Sequence, residues 1–237
     1  MPKEKFKKPD LIVFDLDNTL YEYGPCHKAG EDAFVEFASK TCGMRRKHVR
    51  DKLRKARLNV KERIEGAASH ERSLYFAEFL DITSEVNDAR FILDAENLYW
   101  SNYFRQMELA PFVKEFIIQA RAHGSKTALV TNFTAMVQYR KLVHLGIENL
   151  FDVIVTSQET RGEKETNEPF DLLARRMKKY QGIDEVWFIG DVITDFPKSY
   201  DSKTKKFFLS PFANKKIHSQ GITSLRNYKT LLKRILN

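Results

Sequence analysis

Apolar and polar positions follow two rhythms along this chain of 237 residues. Leu11-Ile12-Val13-Phe14 is an unbroken apolar run, rich in β-branched and aromatic side chains. Such a run reads as a strand covered on both faces rather than a half-exposed edge. Tyr21-Glu22-Tyr23-Gly24-Pro25 then reads as a turn with two breakers. From about Cys26 to Leu109 strand signals vanish and helical spacing takes over. Ala33, Phe34, Phe37 and Ala38 share one helical face; Leu74, Tyr75, Ala77, Glu78 and Phe79 form a second amphipathic stretch; Phe91 to Phe104 is a third.

At Pro111 the rhythm changes to short apolar runs separated by helical stretches. Phe112 to Ala122 predicts a helix stopped by Gly124, and Met136 to Leu145 another stopped by Gly146. Thr127 to Thr131, Phe151 to Val155 and Val186 to Ile189 predict strands, with a last one at Lys206 to Leu209. Phe170 to Tyr180 and about Ser224 to Leu236 predict helices. Strands alternating with helices at this spacing predict an α/β fold: βαβ units forming a parallel sheet with helices on both faces. The first strand is set apart from its partners by a helical insertion of about 85 residues, tolerated where both ends leave the same edge of the sheet.

Composition narrows the possibilities. Hydrophobic residues make up 42% of the chain, which excludes disorder of the whole. Lys and Arg exceed Asp and Glu by 40 to 32, giving a net charge of +8. These charges are scattered, and the runs at Arg45-Arg46-Lys47 and Lys52 to Arg57 read as solvated helix faces. The densest N-terminal run, Lys3, Lys5, Lys7 and Lys8, reads as a solvated tail, and no nucleic-acid motif appears, which argues against nucleic acid as a partner. Cys26 and Cys42 have no metal-like spacing, and the six histidines form no His-x-x-x-His pair. The charged start lacks a leader's apolar core and no run approaches the roughly 18 residues of a membrane helix. A soluble, cytoplasmic protein is expected.

Ligands of open α/β sheets bind at the carboxyl ends of the strands. The residues ending these strands are Asp15 and Asp17, Thr131-Asn132, the loop after Val155, and Gly190-Asp191 with Asp195. Along an extended chain Asp15 and Asp17 would point to the same side, crowding like charges unless a cation or proton lies between them. Acidic strand ends with one hydroxyl on a single edge suit magnesium and phosphate, since Mg²⁺ takes oxygen ligands and usually only one or two carboxylates. Thr131 has the alternative of an ordinary strand end or helix cap.

Phe14-Asp15-Leu16-Asp17-Asn18-Thr19-Leu20 resembles the first motif, Asp-x-Asp-x-Thr after a hydrophobic strand, of the haloacid dehalogenase-like (HAD) hydrolases. The run ending in Thr131 resembles the second motif, and Gly190-Asp191-Val192-Ile193-Thr194-Asp195 the fourth in its Gly-Asp-x-x-x-Asp form. For the third, Lys164 precedes the aromatic Phe170 by six residues, but Glu165 stands where a proline commonly follows the lysine, and Arg161 is a second candidate. The resemblance spans roughly residues 10 to 210.

The resemblance implies a Rossmann-like core of residues 1–21 and 109–237 carrying a C1-type helical cap of residues 22–108. It implies catalytic roles for Asp15 (nucleophile), Asp17 (acid/base), Thr131 and Lys164 (phosphoryl oxygens), and substrate contacts from Asn132 and Thr19. It assigns Mg²⁺ to Asp15, Asp17, Asp191 and Asp195. The expected reaction removes phosphate from a small soluble phosphorylated metabolite through an aspartyl-phosphate. The alternatives are a phosphotransferase or phosphomutase, or a binding or regulatory protein of the same fold. Asp17 argues against the dehalogenase branch, which has no leaving group to protonate. Tyr21, Tyr23 and His27 lie on the flap just after the nucleophile.

Overall fold

A computed structural model of the chain describes residues 8–83, 88–213 and 221–236; Lys3, Lys5 and Lys7 of the basic run lie outside them. The chain forms two compact units, one of residues 1–22 and 108–237, the other of residues 23–107. Where the chain passes from one to the other, Tyr21 pairs with Leu109 and the Ala110 N–H donates to the Leu20 carbonyl at 2.8 Å.

Among the described residues the first unit holds a six-stranded sheet. Its strands are β1 (Leu11–Phe14), β2 (Lys126–Thr131), β3 (Val153–Thr156), β4 (Glu185–Gly190), β5 (Thr204–Leu209) and β6 (Ile222–Ser224). They lie in the order β3-β2-β1-β4-β5-β6 and every pairing is parallel. The apolar run at Leu11–Phe14 is fully buried because it is the central strand, flanked by β2 and β4. β6 answers to no sequence signal: Ile222-Thr223-Ser224 is a short, half-exposed edge.

The helices of this unit are α5 (Val113–Ala122), α6 (Ala135–Leu145), α7 (Glu168–Met177) and α8 (Lys229–Leu236), numbered after the four of the second unit. Val13, Val130, Val155 and Phe188 turn one face of the sheet toward Phe170, Leu173 and Met177 of α7. On the other face Phe14 meets Phe116 of α5 edge-on, with ring centroids 6.0 Å apart, and Phe116 lies against Tyr228 at 6.2 Å beside α8. Helices on both faces leave the carboxyl ends of the strands as the open edge.

The second unit is helical: α1 (Tyr23–Thr41), α2 (Arg46–Arg63), α3 (Arg72–Thr83) and α4 (Ala89–Arg105). Gly24 and Pro25 fall inside the first turn of α1 instead of breaking the chain there. The first turn has no intrahelical use for the N–H that proline lacks, so the reading of that segment as a turn is corrected. Gly30 lets α1 and α4 touch: a Cβ there would lie 2.8–2.9 Å from the Tyr99 ring and carbonyl. The core is aromatic, with Phe34 stacked on Phe76 at 4.3 Å and edge-on to Phe79 at 5.2 Å, contacts worth about 0.5–1.5 kcal/mol each beyond burial. Arg72 is buried here, its guanidinium 5.1–5.7 Å from the ring centres of Tyr75, Tyr99 and Trp100 and donating to the Tyr23 hydroxyl at 3.0 Å. His27 stacks on Tyr23 and shares a 2.7 Å hydrogen bond with the Tyr99 hydroxyl. Its burial, with the charges of Arg72 and Arg57, pushes its pKa down to about 4.

Candidate active site

β1 ends at Phe14, and Asp15 is the first residue beyond it, tied by its N–H to the Ile189 carbonyl of β4 at 2.9 Å. Its carboxylate is buried, and Oδ1 accepts from the Lys164 ammonium at 2.5 Å. The same ammonium donates to Asp195 Oδ1 at 2.5 Å. Lys164 is buried too, so one cation is wedged between two carboxylates that water scarcely reaches. Its pKa is driven up: burial opposes the charged form, but the two aspartates override it.

Asp195 is positioned from behind. Its Oδ2 accepts the backbone N–H groups of Asp191 and Val192 at 2.8 and 3.0 Å, closing a tight turn after β4. That turn needs glycine at 190, where a Cβ would sit 2.2 Å from the Asp195 Cβ. The outcome is a group of three carboxylates, Asp15, Asp191 and Asp195, with oxygens within 4.8 Å of one another. Burial, then the charge of Asp195, pushes Asp15 up to about 7 against the pull of Lys164. Burial and then the charges of Asp15 and Asp195 push Asp191 up to about 8. Both shifts express the cost of confining negative charge without enough positive charge beside it.

Asp17 lies elsewhere. The strand-like spacing predicts that Asp15 and Asp17 point to one side with a cation or proton between them, but β1 stops at Phe14, so the alternation of a strand does not continue across them. Asn18 turns the chain through a left-handed conformation at φ 59°. The Asp17 carboxylate is instead grasped by the Lys141 ammonium, 2.7 and 2.8 Å from its two oxygens, and accepts from the Tyr21 hydroxyl. Gln138 Nε2 reaches it at 3.4 Å. Burial would raise its pKa, yet Lys141 together with Tyr21 and Gln138 holds it below the ordinary carboxylate value. Its side chain is not among the three carboxylates that could hold an ion.

Thr131, at the end of β2, accepts from Gln138 Nε2 at 2.6 Å and donates to the Asn132 carbonyl at 3.2 Å. The Asn132 side chain accepts from the Lys164 backbone N–H at 3.1 Å, joining the second motif to the third. Phe133 follows at φ 107°, a conformation a bulky residue adopts only under constraint. Thr19 is wholly buried, and its hydroxyl has no hydrogen-bond partner among the described residues. Lys164, and not the exposed Arg161, stands against Asp15. Gln138 and Lys141 escaped the sequence reading. The available signal was two polar residues on the face of α6 that also buries Val137, Leu142 and Leu145.

The three carboxylates fit a small hard cation. Asp15 Oδ2 is buried and has no hydrogen-bond partner among the described residues, an orphaned acceptor that a positive ion would satisfy. Asp195 has both oxygens engaged by protein donors, whereas Asp15 keeps Oδ2 unpartnered among the described residues, so Asp15 and Asp191 are the pair better placed to ligate it. All donors are oxygens and only two carboxylates are so placed, which is the chemistry of Mg²⁺.

The model of the haloacid dehalogenase-like hydrolases matches residues 9–197. A ribulose-1,5-bisphosphate 5-phosphatase of Halopiger xanaduensis is 37% identical over 185 residues, covering 76% of this chain and 75% of that protein. A glyceraldehyde 3-phosphate phosphatase of Methanopyrus kandleri is 28% identical over 184 residues, 76% of this chain and 74% of the other. Among solved structures, a HAD-hydrolase of Bacillus subtilis crystallised with magnesium superposes with a TM-score of 0.66 over 98% of this chain and 100% of its own, at 17% identity. Among the described residues no helix is long and apolar enough to cross a membrane. Strand order, motif placement and matched length agree: the chain belongs to the haloacid dehalogenase-like hydrolases.

Proposed function

We infer that this chain is a phosphatase of small phosphorylated metabolites. The observation that carries the reading is Asp15: a buried carboxylate with one oxygen fixed by Lys164 and the other engaged by nothing among the described residues. A carboxylate so oriented is a nucleophile with its attacking geometry already set. Asp15 attacks phosphorus, the bond from phosphorus to the ester oxygen breaks, and an aspartyl-phosphate forms. Asp17 gives a proton to the departing oxygen and takes one from the water that later splits the acyl phosphate. Lys164 and Thr131 face the negative charge of the phosphoryl oxygens. Asp15 and Asp191 would hold Mg²⁺, with Asp195 fixing the turn behind them; the ion supplies positive charge that offsets repulsion between nucleophile and phosphate.

The two curated relatives are named for ribulose-1,5-bisphosphate and glyceraldehyde 3-phosphate. We take the substrate to be of the same kind, a phosphate ester of a short carbohydrate. Residues 23–107, inserted directly after the nucleophile motif, are the part of the chain we assign to choosing it. A screen of sugar and polyol phosphates, run with Mg²⁺ and with excess chelator, tests both assignments. Hydrolysis that needs the metal supports them; hydrolysis unaffected by chelator removes the metal from the reading, and no hydrolysis of any ester removes the phosphatase.

A further inference from the structure

We propose that Lys141, with Gln138 and Tyr21, positions Asp17 for proton transfer to the leaving oxygen. The proposal rests on the phosphatase reading above and adds residues that the motifs do not contain. Lys141 is wholly buried, on α6, and is separated from Asp17 by 124 residues of sequence. Its ammonium lies over the rings of Phe133 and Tyr21, 5.0 and 5.9 Å from their centres, and donates to both oxygens of Asp17. A lysine stem loses nearly all of its rotamer freedom in such a place, and its charge loses its water. Those costs are met only by a partner held in one orientation.

Gln138 stands one turn earlier on the same helix face and is also wholly buried. Its amide nitrogen joins three atoms of two motifs: Thr131 Oγ1 at 2.6 Å, the Asn132 carbonyl at 2.8 Å and Asp17 Oδ2 at 3.4 Å. Tyr21 adds a hydroxyl to the same carboxylate and is pinned by its own pairing with Leu109. Three donors from two elements thus fix the plane of Asp17. They also explain its absence from the acidic group: a carboxylate held through both oxygens by an ammonium is withheld from the ion. The two aspartates of the first motif are sorted by two buried lysines, Asp15 by Lys164 and Asp17 by Lys141.

The step is a simple exchange. As the bond from phosphorus to oxygen breaks, its electron pair goes to the departing oxygen, which takes a proton that Asp17 has first gained from solvent and leaves as the alcohol. Water later returns a proton to the resulting carboxylate as it attacks the aspartyl-phosphate. A misdirected Asp17 therefore harms esters of alcohols, whose alkoxide cannot leave unprotonated, far more than esters of nitrophenol, whose anion can.

The experiment compares wild type, Lys141→Met and Tyr21→Phe on 4-nitrophenyl phosphate and on ribose 5-phosphate, with Mg²⁺ and with cooperative unfolding checked for each. Lys141→Met is expected to lose about 100-fold in kcat/KM on the sugar phosphate, within the usual range for a general acid, and less than about tenfold on the nitrophenyl ester. Tyr21→Phe, which removes one hydroxyl and folds even if Lys141→Met does not, is expected to lose about fivefold on the sugar phosphate alone, the worth of one hydrogen bond. In an Asp17→Asn background neither change should alter the ratio of the two activities further. Equal losses on both esters, no loss on either, or an undiminished selective effect without Asp17 would overturn the proposal. A wild type active on the nitrophenyl ester alone would overturn it too, because no proton would be reaching the leaving oxygen. Inactivity of wild type on both would remove the phosphatase reading, and the proposal with it, before any variant is made.

Discussion

Replacing Lys164 by methionine keeps the length of the side chain and deletes the charge between Asp15 and Asp195. In the native site that ammonium is within 2.5 Å of both carboxylates, and all three groups are buried. Removing one partner of a buried ion pair leaves uncompensated charge and costs about 3–5 kcal/mol. For a chain of this size that corresponds to a melting temperature lower by roughly 10 °C. Mg²⁺ restores positive charge at the same place, so it should stabilise Lys164→Met more than wild type, adding about 2.7 kcal/mol to the variant when free metal is a hundred times the variant's dissociation constant. Adding Asp195→Asn should return part of the loss, because it removes one of the two stranded charges. The chain has two tryptophans, and Trp187 is buried in β4, within the α/β unit. Its fluorescence in a Trp100→Phe background therefore reports the α/β unit alone. Activity should fall by at least about 100-fold, since a preorganised cation at a transferring phosphoryl group is worth several kcal/mol. Arg161→Met should change little by comparison. An unchanged melting temperature, or equal gains from Mg²⁺ in variant and wild type, would refute the account of Lys164 as the cation of the acidic group.

Three further outcomes are expected. Asp15→Asn should fold and lose nearly all turnover, since an amide is a poor nucleophile; near-native hydrolysis by a pure sample would exclude the aspartyl-phosphate route. Gly190→Ala should displace Asp195, whose Cβ lies 2.2 Å from the added methyl position, and lower metal affinity and kcat together; a crystal structure with Lys164 still bonded to Asp195 would contradict this. His27, at about 4 in the fold against 6.5 when free, binds fewer protons folded than unfolded between those values. It therefore favours the fold above pH 6.5 and loses that contribution as pH falls toward 4, by no more than about 3 kcal/mol. Its neighbours Glu31, Arg72, Arg57 and Tyr99 share the environment, so the check is that His27→Gln flattens this part of the stability profile.

The strands most visible in the sequence were those buried on both faces, because an uninterrupted apolar run leaves few other readings. Leu11–Phe14 and Glu185–Gly190 are of that kind. β6 was invisible because an edge strand packed on one side needs neither an apolar run nor a strict alternation. The carboxyl-end residues were legible through their motifs, and Asp191 with Asp195 through the spacing that a tight turn after glycine imposes. The pairing of Asp17 with Lys141 was not. A lysine in a helix reads as a solvated residue unless the partner that draws it inward is known, and that partner lies 124 residues away. The two aspartates were read as strand neighbours because nothing local marks the point where β1 ends.

The order of strands in the sheet has a consequence for biosynthesis. Asp15 follows β1, while Asp191 and Asp195 follow β4, which lies much later in the chain and pairs with β1. A ribosome must polymerise 180 residues beyond Asp15 before the last member of the acidic group exists. Until then the nucleophile has neither its lysine held in place nor a second carboxylate to share an ion. A nascent or truncated chain that stops short of β4 is therefore catalytically inert, however well its helical segment has folded. If the site is assigned correctly, hydrolysis would begin only when β4 docks against β1, and catalytic activity would itself report that the central strand has found both of its neighbours.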